Sequence, residues 1–370
     1  MIKVINVISD SNIGGAGRML LTFLRNCNRA AFDITVVLPV MSKLCGELVR
    51  LGTRYMEVEG LAEKSYDRQS IKRLKEIFQN EKPDIVHTHA SMSARIAAKR
   101  AGKAKIIYTR HSVFPNSRRL TTFPGKQIYG ALNNHYADSV IAVSPAAKDN
   151  ITETGVKPWK VTVIYNGVDA LPPLSAEEKA AARKDYGLLD EDFVCGIFAR
   201  LTPVKGHEYV LRAAEVLKPY KNIKILIAGA GEIETDLKVK VFEKKLDNVI
   251  FAGFVEKVER LMGAIDLQLN ASYGTEATSL ALLEGMSIGI PAVVTDFGGN
   301  PFVISQGENG LVIPQKNGQA MADEILKVYN SKELYGGLSE RSKKIFESRF
   351  TSKIMTKNIE DLYVSVCKGE

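Results

Sequence analysis

Two glutamates, Glu276 and Glu284, lie in a segment, residues 272–286, that leads from an apolar stretch into a helical pattern. Thr278 or Ser279 can cap that helix, so Glu276 precedes its N-terminus and Glu284 lies within it. A helix N-terminus presents unpaired N–H groups and a positive dipole end, which together bind phosphate. At a rise of about 1.5 Å per residue, Glu284 is about 8–9 Å along the helix.

This spacing suits a sugar diphosphate nucleoside, with the diphosphate at the cap, the sugar near Glu276 and the ribose near Glu284. Two surface glutamates that flank a helix would give the same pattern. A second segment, residues 198–206, carries Arg200 out of a predicted strand and places Lys205 just before a glycine and a helix. Two cations at that position suit a diphosphate and the charge that grows on it as it departs. A lysine–glycine pair before a helix is also common without any ligand.

A glycine-rich turn, residues 11–18, follows the first apolar stretch and opens a helix. Glycine lets the backbone approach a phosphate or a sugar closely. A dinucleotide fingerprint is not met, because Leu20 stands where a third glycine belongs and the second strand ends without an acidic residue for an adenine ribose. Hydride-transfer chemistry is therefore disfavoured.

Three of the five histidines follow or end predicted strands in the first half of the chain: His87, His89 and His111. His87 and His89 share one face of an extended segment, which makes a metal pair conceivable. No Asp, Glu or Cys pattern completes such a site, so we expect no metal and favour a buried, hydrogen-bonded histidine. His111 passes from its strand directly into a loop, where it suits contact with a bound sugar.

The predicted loop after that strand, residues 110–126, interleaves basic and aromatic side chains. Arg110, Arg118 and Arg119 could grip a phosphorylated acceptor or a lipid surface. A mobile, solvated loop without a ligand would have the same composition.

Composition and charge limit the class of protein. The 370 residues, 45% hydrophobic and 25% charged, suit two globular domains of roughly 150–200 residues. Residues 1–168 carry 25 Lys/Arg and 13 Asp/Glu, about +12, against about −4 for the rest. This asymmetry favours an anionic partner such as phospholipid headgroups, a pyrophosphate-linked acceptor or nucleic acid, although a solvated basic surface would also explain it.

No apolar run reaches the roughly 18–20 residues of a membrane span, and four scattered cysteines fit a reducing cytoplasm.

Short apolar runs alternate with amphipathic stretches, which predicts βαβ units and parallel, helix-covered sheets. The predicted strands are residues 3–8, 32–38, 84–87, 104–109 and 138–143 and, later, 193–199, 223–228, 248–251, 267–270 and 291–295. The helices singled out are residues 17–28, 69–79 and 92–101, and the last forty residues look helical. The turn Asn166-Gly167 and the prolines that follow it place a domain boundary near residue 168. We expect an α/β chain of two doubly wound domains, residues 1–168 and 169–350, with ligands at the carboxyl ends of the strands.

Taken together, the motifs resemble those of the group 1 glycosyltransferases, the retaining glycosyltransferase family 4, along essentially the whole chain. The most specific part is the E-x7-E element formed by Glu276 and Glu284, which runs into Gly-Ile-Pro-Ala-Val-Val-Thr-Asp-Phe-Gly-Gly at residues 289–299. Arg200 and Lys205 match the family's R-x4-K element. Residues 82–89 match its first-domain strand, and residues 163–169 match the segment before its linker. The resemblance implies a GT-B fold, in which two Rossmann-like domains face each other across a cleft, with a C-terminal helix, residues 351–370, that crosses back to the first domain.

The resemblance also implies a role for each matched residue. The implied donor-binding residues are Gly15, Arg200, Lys205, Ser279, Leu280 and Glu284, and the implied catalytic residues are His111, Glu276, Arg200 and Lys205. Arg110, Arg118 and Arg119 are the candidates for contact with acceptor or membrane. Family members use no metal or cofactor, retain the anomeric configuration and bind acceptor mainly through the N-terminal domain.

We therefore expect a metal-independent, retaining hexosyltransferase. It would move a sugar from a nucleotide-sugar, specifically a UDP-sugar, to a cell-envelope glycan, a lipid-linked acceptor or a small-molecule acceptor. We expect the enzyme to act in the cytoplasm, at the inner face of the membrane, which its basic first domain would contact. We expect no nucleic-acid partner. A nucleotide-sugar epimerase, a sugar phosphorylase and a nucleotide-sugar-binding protein without turnover are the alternatives. Arg18 and Phe302 stand where many members carry glutamate, near the parts that recognise donor sugar or acceptor, so the substrate class stays open.

Overall fold

A computed structural model of the chain describes residues 1–61 and 66–369. These residues form two compact units. Unit 1 comprises Met1–Val168 together with residues 352–369, and unit 2 comprises Asp169–Thr351. The predicted C-terminal segment extends to residue 370, which lies outside the described residues. None of the helices formed by the described residues combines the length and the apolar character needed to cross a bilayer.

Unit 1 is built on seven parallel strands in the order β3-β2-β1-β4-β5-β6-β7. The strands are β1 Ile2–Ile8, β2 Phe32–Pro39, β3 Arg54–Val58, β4 Ile85–His89, β5 Lys105–Arg110, β6 Ser139–Ala142 and β7 Val161–Val163. The helices are α1 Gly15–Asn26, α2 Leu44–Arg50, α3 Arg68–Glu81, α4 Met92–Ala101, α5 Arg118–Thr121, α6 Gly125–His135, α7 Pro145–Thr152 and, from the end of the chain, α16 Ser352–Lys368. The central strands are buried on both faces, as in parallel sheets covered by helices.

Helix α16 is part of the unit 1 core although unit 2 separates it from the rest in sequence. Met355, Ile359 and Tyr363 are buried in the cluster formed with α1 and β2. The Tyr363 ring makes edge contacts with the rings of Phe23 and Phe32, at centroid distances of 5.9 and 5.8 Å. Burying these apolar side chains is what holds the helix to this unit.

Unit 2 repeats the architecture with six parallel strands in the order β10-β9-β8-β11-β12-β13. The strands are β8 Phe193–Phe198, β9 Ile223–Ala228, β10 Val249–Gly253, β11 Leu267–Asn270, β12 Ala292–Thr295 and β13 Gly310–Ile313. The helices are α8 Ala176–Lys184, α9 His207–Leu217, α10 Glu234–Glu243, α11 Val258–Ala264, α12 Leu280–Ser287, α13 Asn300–Val303, α14 Gly318–Asn330 and α15 Lys332–Arg349. The predicted doubly wound α/β class is confirmed for both units.

Three strands that the sequence analysis did not predict, β3, β7 and β13, lie at sheet edges. β3 is half exposed, so its sequence lacks the continuous apolar run of a central strand. β3 carries the charged Arg54 and Glu57, β7 has only three residues, and β13 begins with Gly310. The other predicted strands are confirmed within two residues at each end.

Two local predictions are corrected. Helix α1 begins at Gly15, two residues earlier than predicted, so Gly15 and Gly17 belong to its first turn and not to the loop. The segment of residues 110–126 is not wholly a loop, because Arg118 and Arg119 lie in the short helix α5 and Lys126 lies in α6.

Candidate functional site

In unit 2 the predicted donor-binding residues gather where the strand order reverses. Strands β8 and β11 are neighbours, while their chain neighbours β9 and β12 lie on opposite sides. The loops after two such strands diverge and leave a crevice at the carboxyl ends, which is where ligands bind in doubly wound sheets. Residues 200–205 follow β8, and residues 271–276 follow β11.

Lys205 and Glu276 connect these two loops. The Lys205 ammonium lies 2.8 Å from Glu276 Oε2 and donates to the Thr275 carbonyl oxygen at 3.1 Å. The exposed fractions are 21% for the lysine side chain and 8% for the glutamate. The pair is therefore shielded from solvent far more than a surface ion pair, and the Lys205 charge is balanced by Glu276 in this structure.

Gly206 makes this approach sterically feasible. It is left-handed, with φ of 73°, and a Cβ at this position would lie 2.0 Å from the Ala271 carbonyl oxygen. Only glycine allows the β8 loop to pack so closely on the β11 loop. Arg200, at the start of the β8 loop, is exposed, and no side chain within residues 1–61 and 66–369 accepts a hydrogen bond from it.

Two polar residues that the sequence analysis missed hold the Glu276 carboxylate, and a third supports one of them. Asn270 Nδ2 and Ser272 Oγ donate to Glu276 Oε2 at 3.3 and 3.1 Å. Asn300 Nδ2 in turn reaches Asn270 Oδ1 at 3.4 Å. The available signal was the pair of polar residues at the end of the apolar strand β11, where the carboxyl-end rule places ligands.

Helix α12 presents its N-terminus beside this network. Of the two candidate caps the structure selects Ser279, whose hydroxyl accepts from the Leu282 amide at 3.4 Å. Leu280 is the first helical residue, so its amide belongs to the turn whose N–H groups lack partners within the helix. Glu284 lies one turn further along and is buried, with 4% of its surface exposed.

Unit 1 has a reversal of its own between β1 and β4. The chain leaves β1 and enters α1 through Gly14, which gives the helix no side-chain cap. A Cβ at Gly15 would meet nothing within 4 Å, so the backbone there is open to a ligand. A Cβ at Gly17, in contrast, would lie 3.3 Å from Leu44 Cδ2.

A chain of histidines links the carboxyl ends of β4 and β5. His89 Nδ1 lies 2.8 Å from His111 Nε2, and the two rings stack at a centroid distance of 5.1 Å. His89 Nε2 lies 3.2 Å from Asn6 Oδ1. His87 Nδ1 lies 2.7 Å from the Tyr363 hydroxyl.

Burial keeps these imidazoles neutral. It lowers the pKa of His111 to about 4, lowers that of His87 to about 3 with help from His111, and lowers the pKa of His89 well below its usual range. His111 keeps some exposed surface, although protein atoms surround its ring closely. Near neutral pH each ring therefore has one donor and one acceptor nitrogen. No three His, Cys, Asp or Glu residues of the described chain are grouped so that they could hold a metal ion.

The candidate acceptor residues differ in their surroundings. Arg110 donates to Asn150 Oδ1 at 2.9 Å and lies over the Phe114 ring at 5.6 Å, so its guanidinium is already engaged within unit 1. Arg118 and Arg119 are exposed on α5.

A cavity of about 690 Å³ in unit 2 lies away from all of these residues. Arg183, Asp266 and Tyr335 line it, and it adjoins the amino ends of β8 and β11. The predicted residues lie at the carboxyl ends, so this cavity does not belong to the candidate site.

Comparisons with known proteins agree with this geometry. HepE of Anabaena, solved in complex with UDP, superimposes with a TM-score of 0.85 at 21% identity, covering 98% of this chain and 100% of that one. The fold is thus that of the GT-B glycosyltransferases.

Sequence comparison identifies the family. The model for glycosyl transferases group 1 matches residues 178–345, and that for Glycosyltransferase Family 4 matches residues 13–170. The chain is 27% identical to the N-acetyl-alpha-D-glucosaminyl L-malate synthase of Bacillus anthracis, covering 82% of this chain and 81% of that one. It is also 27% identical to the UDP-Gal:alpha-D-GlcNAc-diphosphoundecaprenol alpha-1,3-galactosyltransferase of Escherichia coli, covering 81% and 80%. The protein belongs to the group 1 glycosyltransferases and is an enzyme.

Proposed function

We propose that this glycosyltransferase transfers a sugar from a UDP-sugar with retention of anomeric configuration and without a metal ion. The observation that carries the proposal is the shielded contact between Lys205 and Glu276 at the strand-order reversal of unit 2. It places a cation and a carboxylate beside the N-terminus of α12.

In this proposal the donor diphosphate binds the Ser279 and Leu280 amides together with Arg200 and Lys205, and Glu284 binds the ribose hydroxyls. The leaving UDP gains negative charge in the transition state. Arg200 and Lys205 stabilise that charge, as a bound metal ion would do elsewhere. Arg200 supplies most of the net positive charge for the diphosphate, because Glu276 balances the charge of Lys205.

Gly15 and His111, which belong to unit 1, take part in the same reaction by their match to the family motifs. The open backbone at Gly15 supports contact with the donor. Neutral His111 supports a hydrogen bond to a sugar hydroxyl, since it has one donor and one acceptor nitrogen.

Retention has two candidate routes. Glu276 could attack the sugar and form a covalent intermediate, as the second carboxylate does in retaining hydrolases. The acceptor could instead attack from the face that UDP leaves. Three donors, Lys205, Asn270 and Ser272, converge on Glu276 Oε2 and reduce its nucleophilicity, which favours the second route. Mass spectrometry of the enzyme with donor and a slow acceptor decides, because a sugar adduct on Glu276 would establish the first route.

The acceptor is proposed to be anionic. The names of the two relatives contain malate and a diphosphate-linked lipid, both of which are anionic. Residues 1–168 of this chain carry a net charge of about +12. An anionic glycan, lipid-linked or small-molecule acceptor would be attracted to such a surface.

Membrane contact through α5 and α6 is part of the proposal. The side chains of Phe123 and Ile128 are 80% and 60% exposed, next to the exposed Arg118 and Arg119. Exposed apolar and basic side chains together bind anionic lipid surfaces, here the inner face of the cytoplasmic membrane. Sedimentation with phosphatidylglycerol vesicles should retain the protein, and Phe123→Ser should weaken binding. Phe242→Ser, at an 85% exposed position in unit 2, is the matched control. Equal binding by the two variants would contradict the assignment.

A panel of nucleotide sugars in a thermal-shift assay tests the proposal as a whole. A donor at about 100 times its dissociation constant stabilises the protein by about 2.7 kcal/mol. We expect UDP-sugars to stabilise it, and UDP release from the most stabilising one to require an anionic acceptor extract. Arg200→Ala should lower that turnover by about 10²–10³, the scale of a lost oxyanion donor. Arg212→Ala, on an exposed arginine of α9, should not. Stabilisation by other nucleotide sugars and not by UDP-sugars would refute the donor assignment.

A further inference from the structure

The segment that leads from β12 into α13 packs directly against the loop of Glu276. The Gly299 N–H donates to the Glu276 carbonyl oxygen at 3.1 Å. A Cβ at the left-handed Gly298, whose φ is 58°, would lie 2.0 Å from that oxygen, and a Cβ at Gly299 would lie 1.6 Å from the Ala277 carbonyl oxygen. Only glycine permits so close an approach of the two backbones. The approach brings Asn300, the first residue of α13, next to the polar residues that hold the Glu276 side chain.

The orientation of the Asn270 amide is fixed by the backbone. The Ser272 N–H, which can only donate, lies 3.1 Å from Asn270 Oδ1. That contact identifies the oxygen of the amide, so the other end is Nδ2, which donates to Glu276 Oε2 at 3.3 Å. Asn270 and Glu276 are each only 8% exposed, so little solvent competes for this hydrogen bond.

Asn300 has a defined orientation as well. The Thr295 hydroxyl donates to the Ser272 carbonyl oxygen at 2.5 Å, which leaves the hydroxyl oxygen as an acceptor. Asn300 Nδ2 donates to that oxygen at 3.2 Å and to Asn270 Oδ1 at 3.4 Å. The reversed amide would place its oxygen against both of these oxygens. Asn300 Oδ1 is buried without a hydrogen-bond partner among residues 1–61 and 66–369, so the two bonds of the amide nitrogen decide the orientation.

This network leaves the two oxygens of the Glu276 carboxylate in unequal states. Oε2 accepts from Lys205 Nζ at 2.8 Å, from Asn270 Nδ2 at 3.3 Å and from Ser272 Oγ at 3.1 Å. No hydrogen bond reaches Oε1 from the part of the chain that the structure describes. An ionised carboxylate accepts at both oxygens, so Oε1 keeps its capacity to accept from a ligand hydroxyl.

We propose that Asn300 is a positioning residue that, through Asn270, holds the Glu276 carboxylate with Oε2 occupied by donors and Oε1 open to the transferred sugar. Without the Asn300 amide, Asn270 keeps only the Ser272 N–H at its oxygen and can turn away from Oε2. The carboxylate then rotates, and the sugar loses an oriented acceptor. The catalytic consequence rests on the position beside the sugar that is proposed above for Glu276.

The test is Asn300→Ala in the full-length enzyme. Asn270 Oδ1 and the Thr295 hydroxyl each keep another hydrogen bond, so the variant leaves neither group unsatisfied and should fold. Isothermal titration compares UDP with UDP-glucose, UDP-galactose and UDP-N-acetylglucosamine. The affinity for the UDP-sugar that binds the wild type best should fall about tenfold, the scale of one lost hydrogen bond, whereas the affinity for UDP should not change.

Val303→Ala is the matched control, because Val303 is buried in the same short helix and carries no polar side-chain atom. It should lower stability and leave the ratio of UDP-sugar to UDP affinity unchanged. In a Glu276→Ala background, Asn300→Ala should cause no further loss of UDP-sugar affinity, since the group to be positioned is absent. A further tenfold loss in that background, or an equal loss for UDP and UDP-sugar in the single variant, would overturn the inference.

A readout without ligand separates this inference from the proposed function. If Glu276→Ala binds the UDP-sugars as the wild type does, the proposed place of Glu276 beside the sugar fails. Crystal structures of the wild type and of Asn300→Ala still judge the link to Asn300. The variant should lose the 3.3 Å contact between Asn270 Nδ2 and Glu276 Oε2 and show a rotated carboxylate. A carboxylate held as in the wild type would overturn the inference.

Discussion

The ion pair of Lys205 and Glu276 allows stability and catalysis to be separated. Lys205→Met removes the ammonium and leaves a carboxylate that is only 8% exposed. Breaking a buried pair from one side costs about 3–5 kcal/mol. Asn270 and Ser272 still donate to that carboxylate, and the lysine is 21% exposed, so we expect a lower cost of about 2 kcal/mol.

Adding Glu276→Gln should restore much of that stability, because a neutral amide needs no counter-ion. Catalysis should not recover, since the cation opposite the leaving diphosphate is still absent. We expect UDP release to be lower by about 10²–10³ in Lys205→Met and no faster in the double variant. In the double-mutant cycle, Glu276→Gln should thus offset part of the stability lost in Lys205→Met. It should not offset any of the lost turnover.

The assay needs to resolve the two units, because a chain of two domains does not unfold as one two-state system. Urea unfolding followed by pulsed hydrogen exchange and mass spectrometry reports peptides of unit 1 and unit 2 separately. Only peptides of unit 2 should shift in Lys205→Met. A double variant no more stable than Lys205→Met, or a Lys205→Met enzyme with near wild-type turnover, would refute the reasoning.

Three further predictions concern pH, metal ions and backbone strain. Burial depresses the pKa of His87 to about 3 and of His111 to about 4, so stability should be fully present above about pH 6.5 and fall as acid approaches those values; urea midpoints that stay level between pH 6.5 and 5 would contradict this. Turnover should be unchanged by EDTA and by added Mg²⁺ when UDP release is followed, and a loss restored by metal would exclude the metal-independent mechanism. Gly206→Ala should destabilise unit 2 by more than the roughly 1–2 kcal/mol that a left-handed non-glycine residue costs, because its Cβ would also meet the Ala271 carbonyl oxygen. A melting temperature equal to that of the wild type would show that the loop relaxes around the new methyl group.

Fold class was predictable from the sequence because central parallel strands are apolar along their whole length. Residues 223–228 and 267–270 were predicted with the bounds that the structure shows. Three of the four edge strands were not, and β3 illustrates why: its Arg54 and Glu57 are exposed, so it lacks a continuous apolar run. Periodicity reports burial, and it fails where burial is partial.

The residues of the candidate site were likewise predictable only in part. Glu276, Lys205 and Ser279 could be singled out because local signals, a strand end and a helix start, mark them. The residues that hold Glu276 could not be ranked in advance, since Asn300 reaches Asn270 across 30 positions of sequence. Tyr363 lies 276 positions from His87, and no local pattern predicts that contact.

The side chains at the two strand-order reversals differ in charge, and the proposed chemistry accounts for the difference. At the reversal of unit 2 the side chains are charged, which suits a leaving diphosphate. At that of unit 1 the imidazoles are buried and neutral. Glycosyl transfer develops positive charge on the sugar in an oxocarbenium-like transition state, and a protonated histidine beside it would oppose that charge. Keeping His111 neutral by burial therefore lets it hydrogen-bond the sugar without an electrostatic penalty, which is why a histidine whose pKa is about 4 fits the proposed reaction better than an exposed one.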